Sequence, residues 1–135
     1  MVMSEFAWPV RVYYEDTDSG GVVYYANYLK FMERARTEWL RALGFEQTIL
    51  ASVHGVMFVV RRATVEYLQP ARFNDELSVI STVKRFGQCR IIFAQNIVRG
   101  GILASGETEV ACVSSLSFKP VKIPDTLLQA LEQLA

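Results

Sequence analysis

The sequence holds a single histidine, His54, and only two cysteines, Cys89 and Cys112. One imidazole argues strongly against a zinc site of the usual kind, which draws several ligands from histidine and cysteine. The cysteines form no C-x-x-C pair and are too few for a disulfide framework, which points to a cytoplasmic protein. Excess charge of either sign is also missing, since 14 Lys+Arg balance 14 Asp+Glu. An electrostatic nucleic-acid binder would show a basic surplus, so no nucleic acid is expected as a partner. Apolar runs are short, as at Val56–Val60. A membrane helix needs roughly 20 such residues, so no membrane span is expected. The N-terminus carries Glu5 and lacks a basic segment followed by an apolar one, so no secretory signal is expected.

Nucleotide and nucleophile fingerprints are absent as well. No G-x-G-x-x-G, G-x-x-x-x-G-K-[ST] or G-x-S-x-G occurs. A Ser-His-Asp triad would have to use His54, which reads as a loop or packing residue. The stretch from Asp16 resembles a calcium loop superficially, but its twelfth position is Asn27 rather than Glu and its fifth is Gly20.

What remains is a chain of 135 residues, 51% hydrophobic and 21% charged, enough for one domain over 1–135 with a real core. Trp8–Tyr14 alternates like a strand, and the polar stretch 15–21 reads as a turn or functional loop. Asn27–Leu43 is amphipathic at helical spacing, with Asn27 as N-cap and Gly44 just past the end. A short helix is expected near Glu46–Ala51. Strands are expected over Met57–Tyr67, Glu76–Phe86, Cys89–Arg99 and Ile102–Phe118, with turns at Gly87–Gln88 and Gly100–Gly101. Gly101 could supply a positive φ without steric cost. Asp125–Leu134 carries a leucine stripe and reads as a last helix. One strand, a long helix and then four strands joined by tight turns predict an α+β fold with an antiparallel sheet.

The stretch YYEDTDSGGVVYYANY, residues 13–28, is where chemistry concentrates. Acids and two glycines precede a helix start. Free N–H groups at such a start can polarise a carbonyl and hold an oxyanion. A nearby carboxylate can act as general base on water or attack as nucleophile. Dipole compensation by acids before a helix explains the same composition.

The segment DTDSGGVVYYANY followed by LKFMERARTEWLRALG, with VEYLQPARFNDEL later, resembles the 4-hydroxybenzoyl-CoA thioesterase family of hotdog-fold proteins. The likeness is greatest to the acyl-CoA thioesterases associated with the Tol–Pal system. It implies a hotdog fold, a long central helix wrapped by an antiparallel sheet of about five strands. It also implies hydrolysis of an acyl-CoA thioester without metal or cofactor, coenzyme A being part of the substrate. The catalytic carboxylate implied is Asp18, and the oxyanion donor is the backbone N–H of Tyr25. The Tol–Pal subgroup usually has histidine where this chain has Tyr25, but a backbone donor does not depend on the side chain. Tyr14 matches a tyrosine near the site in relatives. The resemblance further implies a homodimer or homotetramer with active sites at the subunit interface.

Other residues read less sharply. Asp16 and Glu15 flank the site as solvated or capping groups, and Asn27 is a cap within reach of substrate. Phe58, Val59 and Val60 could line an acyl pocket or simply pack in the core. Lys84, Arg85 and Arg90 flank the Gly87 turn and could meet the phosphates of coenzyme A, or form a solvated hairpin tip. The competing reading is a non-catalytic module that binds acyl-CoA or acyl carrier protein. The acyl chain itself stays open.

Overall fold

The computed structural model describes residues 4–134. Strand β1 (Glu5–Arg11) leads through a single 3-10 turn (Tyr14–Asp16) to helix α1 (Asn27–Ala42) and helix α2 (Gln47–His54). Strands β2 (Val56–Tyr67), β3 (Glu76–Phe86), β4 (Arg90–Val98) and β5 (Ile102–Ser114) follow, then helix α3 (Asp125–Leu134). The five strands form one antiparallel sheet in the order β1-β3-β4-β5-β2. The expected α+β architecture is therefore present, and β1 and β2 are its two edges.

Helix α1 lies on one face of the sheet because its apolar residues recur at three and four. Tyr28, Phe31, Met32, Ala35, Trp39 and Leu40 are all buried. Gly44 at φ 98 ends the helix, as a left-handed residue after a C-cap should. The core divides along α1. Tyr28, Phe31, Met32 and Ala35 pack with Val79, Ile97 and Leu103, whereas Trp39 and Leu40 pack with Ile91, Phe93 and the leucines of α3. Between the two clusters lies a buried polar layer. Arg36 Nη1 donates to Gln95 Oε1 at 2.8 Å and to Thr108 Oγ1 at 3.4 Å. Gln95 Nε2 in turn donates to the Met32 carbonyl and to Ser81 Oγ. Close approach of helix to sheet needs Gly106, where a Cβ would come within 2.8 Å of the Thr64 carbonyl and 3.2 Å of Met32.

Several local expectations are corrected. The first strand runs Glu5–Arg11 rather than Trp8–Tyr14, since Pro9 is tolerated on an edge strand. The chain leaves the strand because the Asp16 carboxylate accepts the Tyr13 N–H at 2.8 Å and winds residues 14–16 into a turn. The last strand stops at Ser114, short of Phe118. Ser114 Oγ accepts the N–H groups of Leu116 and Ser117, and Phe118 sits at φ 59. The short helix begins one residue later than expected and runs on to His54. At the β4–β5 turn the positive φ falls on Gly100, at 71°, and not on Gly101. Asn27 is not the N-cap. That place belongs to Ala26, and Asn27 is the first helical residue.

Candidate active site

Residues 15–28 form a compact assembly at the start of α1. Thr17 bridges Val23, and the Asp18 N–H donates to the Val22 carbonyl at 2.9 Å, so the acidic loop is a small hairpin. Gly21 turns it at φ 78, a conformation that favours glycine. Asp18 heads this hairpin and is exposed. Its Oδ1 accepts the Gly20 N–H at 2.8 Å, which fixes the carboxylate, while Oδ2 has no hydrogen-bond partner among the described residues.

The hairpin is bound to the helix start through Asp16, which is buried. The Asp16 carbonyl accepts the Tyr24 N–H at 2.9 Å and Asn27 Nδ2 at 3.0 Å. Asp16 is thus a structural tie rather than a solvated flank, and Asn27 holds the loop instead of capping the helix. Behind them, Tyr28 accepts the Ala71 N–H on its hydroxyl, and the Val23 N–H donates to the Ala71 carbonyl.

Tyr25 lies between the hairpin and the helix. Its N–H has no acceptor among the described residues. The peptide that carries it is polarised, because the Tyr24 carbonyl accepts the Asn27 N–H at 2.8 Å. The Tyr25 carbonyl accepts the Tyr67 hydroxyl at 2.9 Å, so the end of β2 grips the turn. Burial raises the Tyr67 phenol above its ordinary value, and the neighbouring Tyr25 and Tyr28 add to this, keeping it a donor. The Tyr24 phenol is raised too, chiefly by the neighbouring Tyr25 hydroxyl. A cleft of about 260 Å³ opens beside this turn, walled by Val23, Tyr25, Tyr28, Tyr67, Leu68 and Pro70. Sequence reasoning missed Tyr67. Its signal was its place in VEYLQPARFNDEL, one of the segments that carried the family likeness.

The other expected site residues lie elsewhere. Tyr14 is 75% exposed and stacks on Phe73 with ring centroids 3.9 Å apart. Phe58, Val59 and Val60 line a separate cavity of about 350 Å³ between α1, α2 and β2, together with Glu33, Arg36 and Thr37. Lys84, Arg85 and Arg90 lie on the sheet face turned away from α1. Lys84 pairs with Glu107, and Arg90 is 3.7 Å from Glu109. Lys84 holds the Glu107 carboxyl below its usual range. Of the three cations, Arg85 alone has no ion pair among the described residues. No group of three or more His, Cys, Asp or Glu among the described residues could hold a metal ion. Among the described residues, no helix is long and apolar enough to cross a membrane.

A model of the thioesterase-like superfamily matches residues 12–131, which takes in every element of the site. The chain belongs to that superfamily. It is 45% identical to the acyl-CoA thioester hydrolase YbgC of Escherichia coli over 130 residues, 95% of this chain and 96% of the relative. It is 43% identical to the acyl-CoA thioesterase YbgC of Haemophilus influenzae, across 99% of both chains. Among solved structures, a 1,4-dihydroxy-2-naphthoyl-CoA thioesterase from Synechocystis superposes with a TM-score of 0.88 at 25% identity, covering 96% of this chain and 97% of the other. The expected hotdog architecture and thioesterase class both stand on these likenesses.

Proposed function

We propose that this thioesterase hydrolyses an acyl-CoA thioester to the free acid and coenzyme A, with Asp18 and the Tyr25 N–H as its reacting groups. The observation that carries the reading is the unpaired, polarised Tyr25 N–H next to a hairpin that fixes one oxygen of Asp18 and leaves the other free. The thioester carbonyl accepts from the Tyr25 N–H. Water bonds to the carbonyl carbon as Asp18 takes its proton, and the oxyanion stays on the Tyr25 N–H. The C–S bond then breaks, and the proton passes to the coenzyme A sulfur. In the nucleophilic variant, an Asp18 oxygen bonds to the carbonyl carbon and expels the thiolate, and water cleaves the resulting anhydride. Either route uses groups of the chain alone, and thiol release is expected to persist in a metal chelator.

The site is completed by a second copy of the chain. Strand β2 is twelve residues long and forms a sheet edge with one side of its backbone unpaired. Antiparallel pairing of two β2 strands about their middle sets the Val56–Val60 end of one copy beside the Tyr67 end of the other. That brings the Phe58–Val60 cavity of each copy toward the oxyanion turn of its partner. Pairs of such dimers give the tetramer. The cytoplasm, where acyl-CoA is made and used, is the expected setting. Tyr14, packed on Phe73, supports the loop wall, and Arg85 is the cation available to a coenzyme A phosphate. The likeness to the YbgC relatives supports the Tol–Pal-associated subgroup.

The test is thiol release from a panel of acyl-CoAs by the wild type and by Asp18→Asn. Loss of about 10² or more with the fold retained supports the assignment, since a general base contributes roughly 10²–10⁴. Equal inactivity of both proteins on every thioester, with acyl-CoA or acyl carrier protein still bound, would replace the enzyme with a binding module.

A further inference from the structure

Arg36 is only 8% exposed, yet its charge is answered by neutral groups. Nη1 spends its hydrogens on Gln95 and Thr108. No carboxylate lies within ion-pair distance of the guanidinium among the described residues. Burial pushes its pKa below the ordinary value, and only the more distant charge of Glu33, on the exposed rim, opposes that shift. Nε and Nη2 have no acceptor among the described residues, and no fully buried side-chain nitrogen or oxygen there is left unsatisfied. Those donors are therefore not sealed in protein, and Arg36 lines the cavity bounded by Phe58 and Val60.

The cavity is built to match. Leu40, Phe58, Val60, Ile91, Phe93 and Val110 make its apolar walls, and the guanidinium is the cationic group on its lining. A volume of about 350 Å³ suits a small organic group rather than a few waters. Leaving a buried cation without a counter-charge is costly, and an anionic oxygen in a low-dielectric pocket offsets that cost. Guanidinium and carboxylate also match in geometry, through two parallel N–H···O bonds.

We propose that this cavity receives the far end of the acyl group and that Arg36 selects acyl groups ending in a carboxylate, the monothioesters of short dicarboxylic acids. This rests on the thioesterase reading above and on the paired β2 strands. Within one protomer, eleven residues of chain separate Tyr25 from Arg36, roughly 16 Å along a helix axis, too far for a short acyl group. The proposed β2 pairing would instead turn the cavity of one copy toward the oxyanion turn of the other. Glu33 at the rim is screened by water, so it does not cancel the attraction.

The test compares glutaryl-CoA with pentanoyl-CoA, which carry five-carbon acyl groups differing at the far end. Wild type is expected to show a kcat/KM at least about tenfold higher for glutaryl-CoA, because a site that bonds a polar group discriminates against an analogue lacking it. Arg36→Met is expected to bring that ratio to one or below. Should Arg36→Met fail to fold because Gln95 is orphaned, Arg36→Met with Gln95→Met removes both partners, and the ratio is read there. A wild type that hydrolyses pentanoyl-CoA as well as glutaryl-CoA, or a ratio unchanged in the folded variant, overturns the assignment of Arg36 and leaves the thioesterase standing. Failure of the wild type on both, and on every other acyl-CoA, removes the thioesterase reading and this inference with it.

Discussion

The two edges of the sheet are treated differently. Strand β1 spans seven residues, carries Pro9, and is pinned by the Arg11–Glu76 ion pair at 3.1 Å. It is short and lacks one N–H donor, as protected edges usually are. Strand β2 spans twelve residues, has no proline, and ends on the tyrosine whose hydroxyl donates to the Tyr25 carbonyl. Its first half walls a cavity and its second half touches the site. Of the two edges, the longer β2 is the one open to the second copy of the chain proposed above.

The sharpest way to break the comparison is to block one edge at a time. Adjacent residues of an antiparallel strand point their N–H groups in opposite directions, so proline placed singly at Ala63 and at Thr64 hits the β5 ladder once and the free edge once. The variant that keeps its melting temperature is expected to be monomeric by light scattering and to lose about 10² or more in thiol release, since a positioned site depends on its geometry. On the other edge, Ala7→Lys is expected to stay within about twofold of wild type in both readouts, like most surface substitutions. A monomeric β2 variant with full activity would remove the second copy from the site.

A smaller effect is expected at the point where β2 meets the turn that carries the Tyr25 N–H. Tyr67→Phe removes the hydrogen bond to the Tyr25 carbonyl. Such a bond is worth about 1 kcal/mol, so kcat should fall about fivefold with KM within about twofold. An equal rise in KM with kcat intact would make Tyr67 a substrate-binding residue instead.

The smallest effect probes whether the strand behind the free edge stays shut. Cys112 on β5 pairs with Phe58 of β2, and burial pushes its thiol to about 11 from an ordinary value of 9.0. Cys89 is half-buried. At pH 8 a thiol reagent should modify Cys89 and spare Cys112, read by mass spectrometry after limited reaction. The linkage has a definite sign. The folded state holds the Cys112 proton more tightly than the unfolded state, so its contribution to stability is complete below pH 9 and is lost as pH rises from 9 toward 11. A melting temperature flat across that window in the wild type, or an equal fall in Cys112→Ala, would contradict it.

Much of the fold was legible because periodicity tracks burial. The α1 stripe, the β3 span and the α3 stripe all followed from spacing, since each buries one face. The misreadings cluster where a side chain competes with the backbone. Asp16 winds up the end of the first strand, and Ser114 cuts short the last one, and neither contact is visible in a pattern of apolar and polar letters. The loop and helix start of the candidate site were legible through their motif, and Asp18 and Tyr25 both fall within them. Tyr67 was not singled out, because its partner is a carbonyl 42 positions away in sequence. Arg36 was not singled out, because an arginine inside a helical face looks the same whether its guanidinium meets water or Gln95.

The β-bulge in β2, where the pairing with β5 skips between Val60 and Arg62, has a consequence of its own. A bulge bends a strand and deepens its twist. The free edge is therefore curved near its middle, where two copies would meet. Fibrils grow by stacking flat, straight strands without limit. A kinked edge fits a strand with the same kink, and two such strands facing each other use up the edge on both sides. Pairing along β2 would thereby be self-terminating, and the chain can keep a long open strand without seeding a fibre.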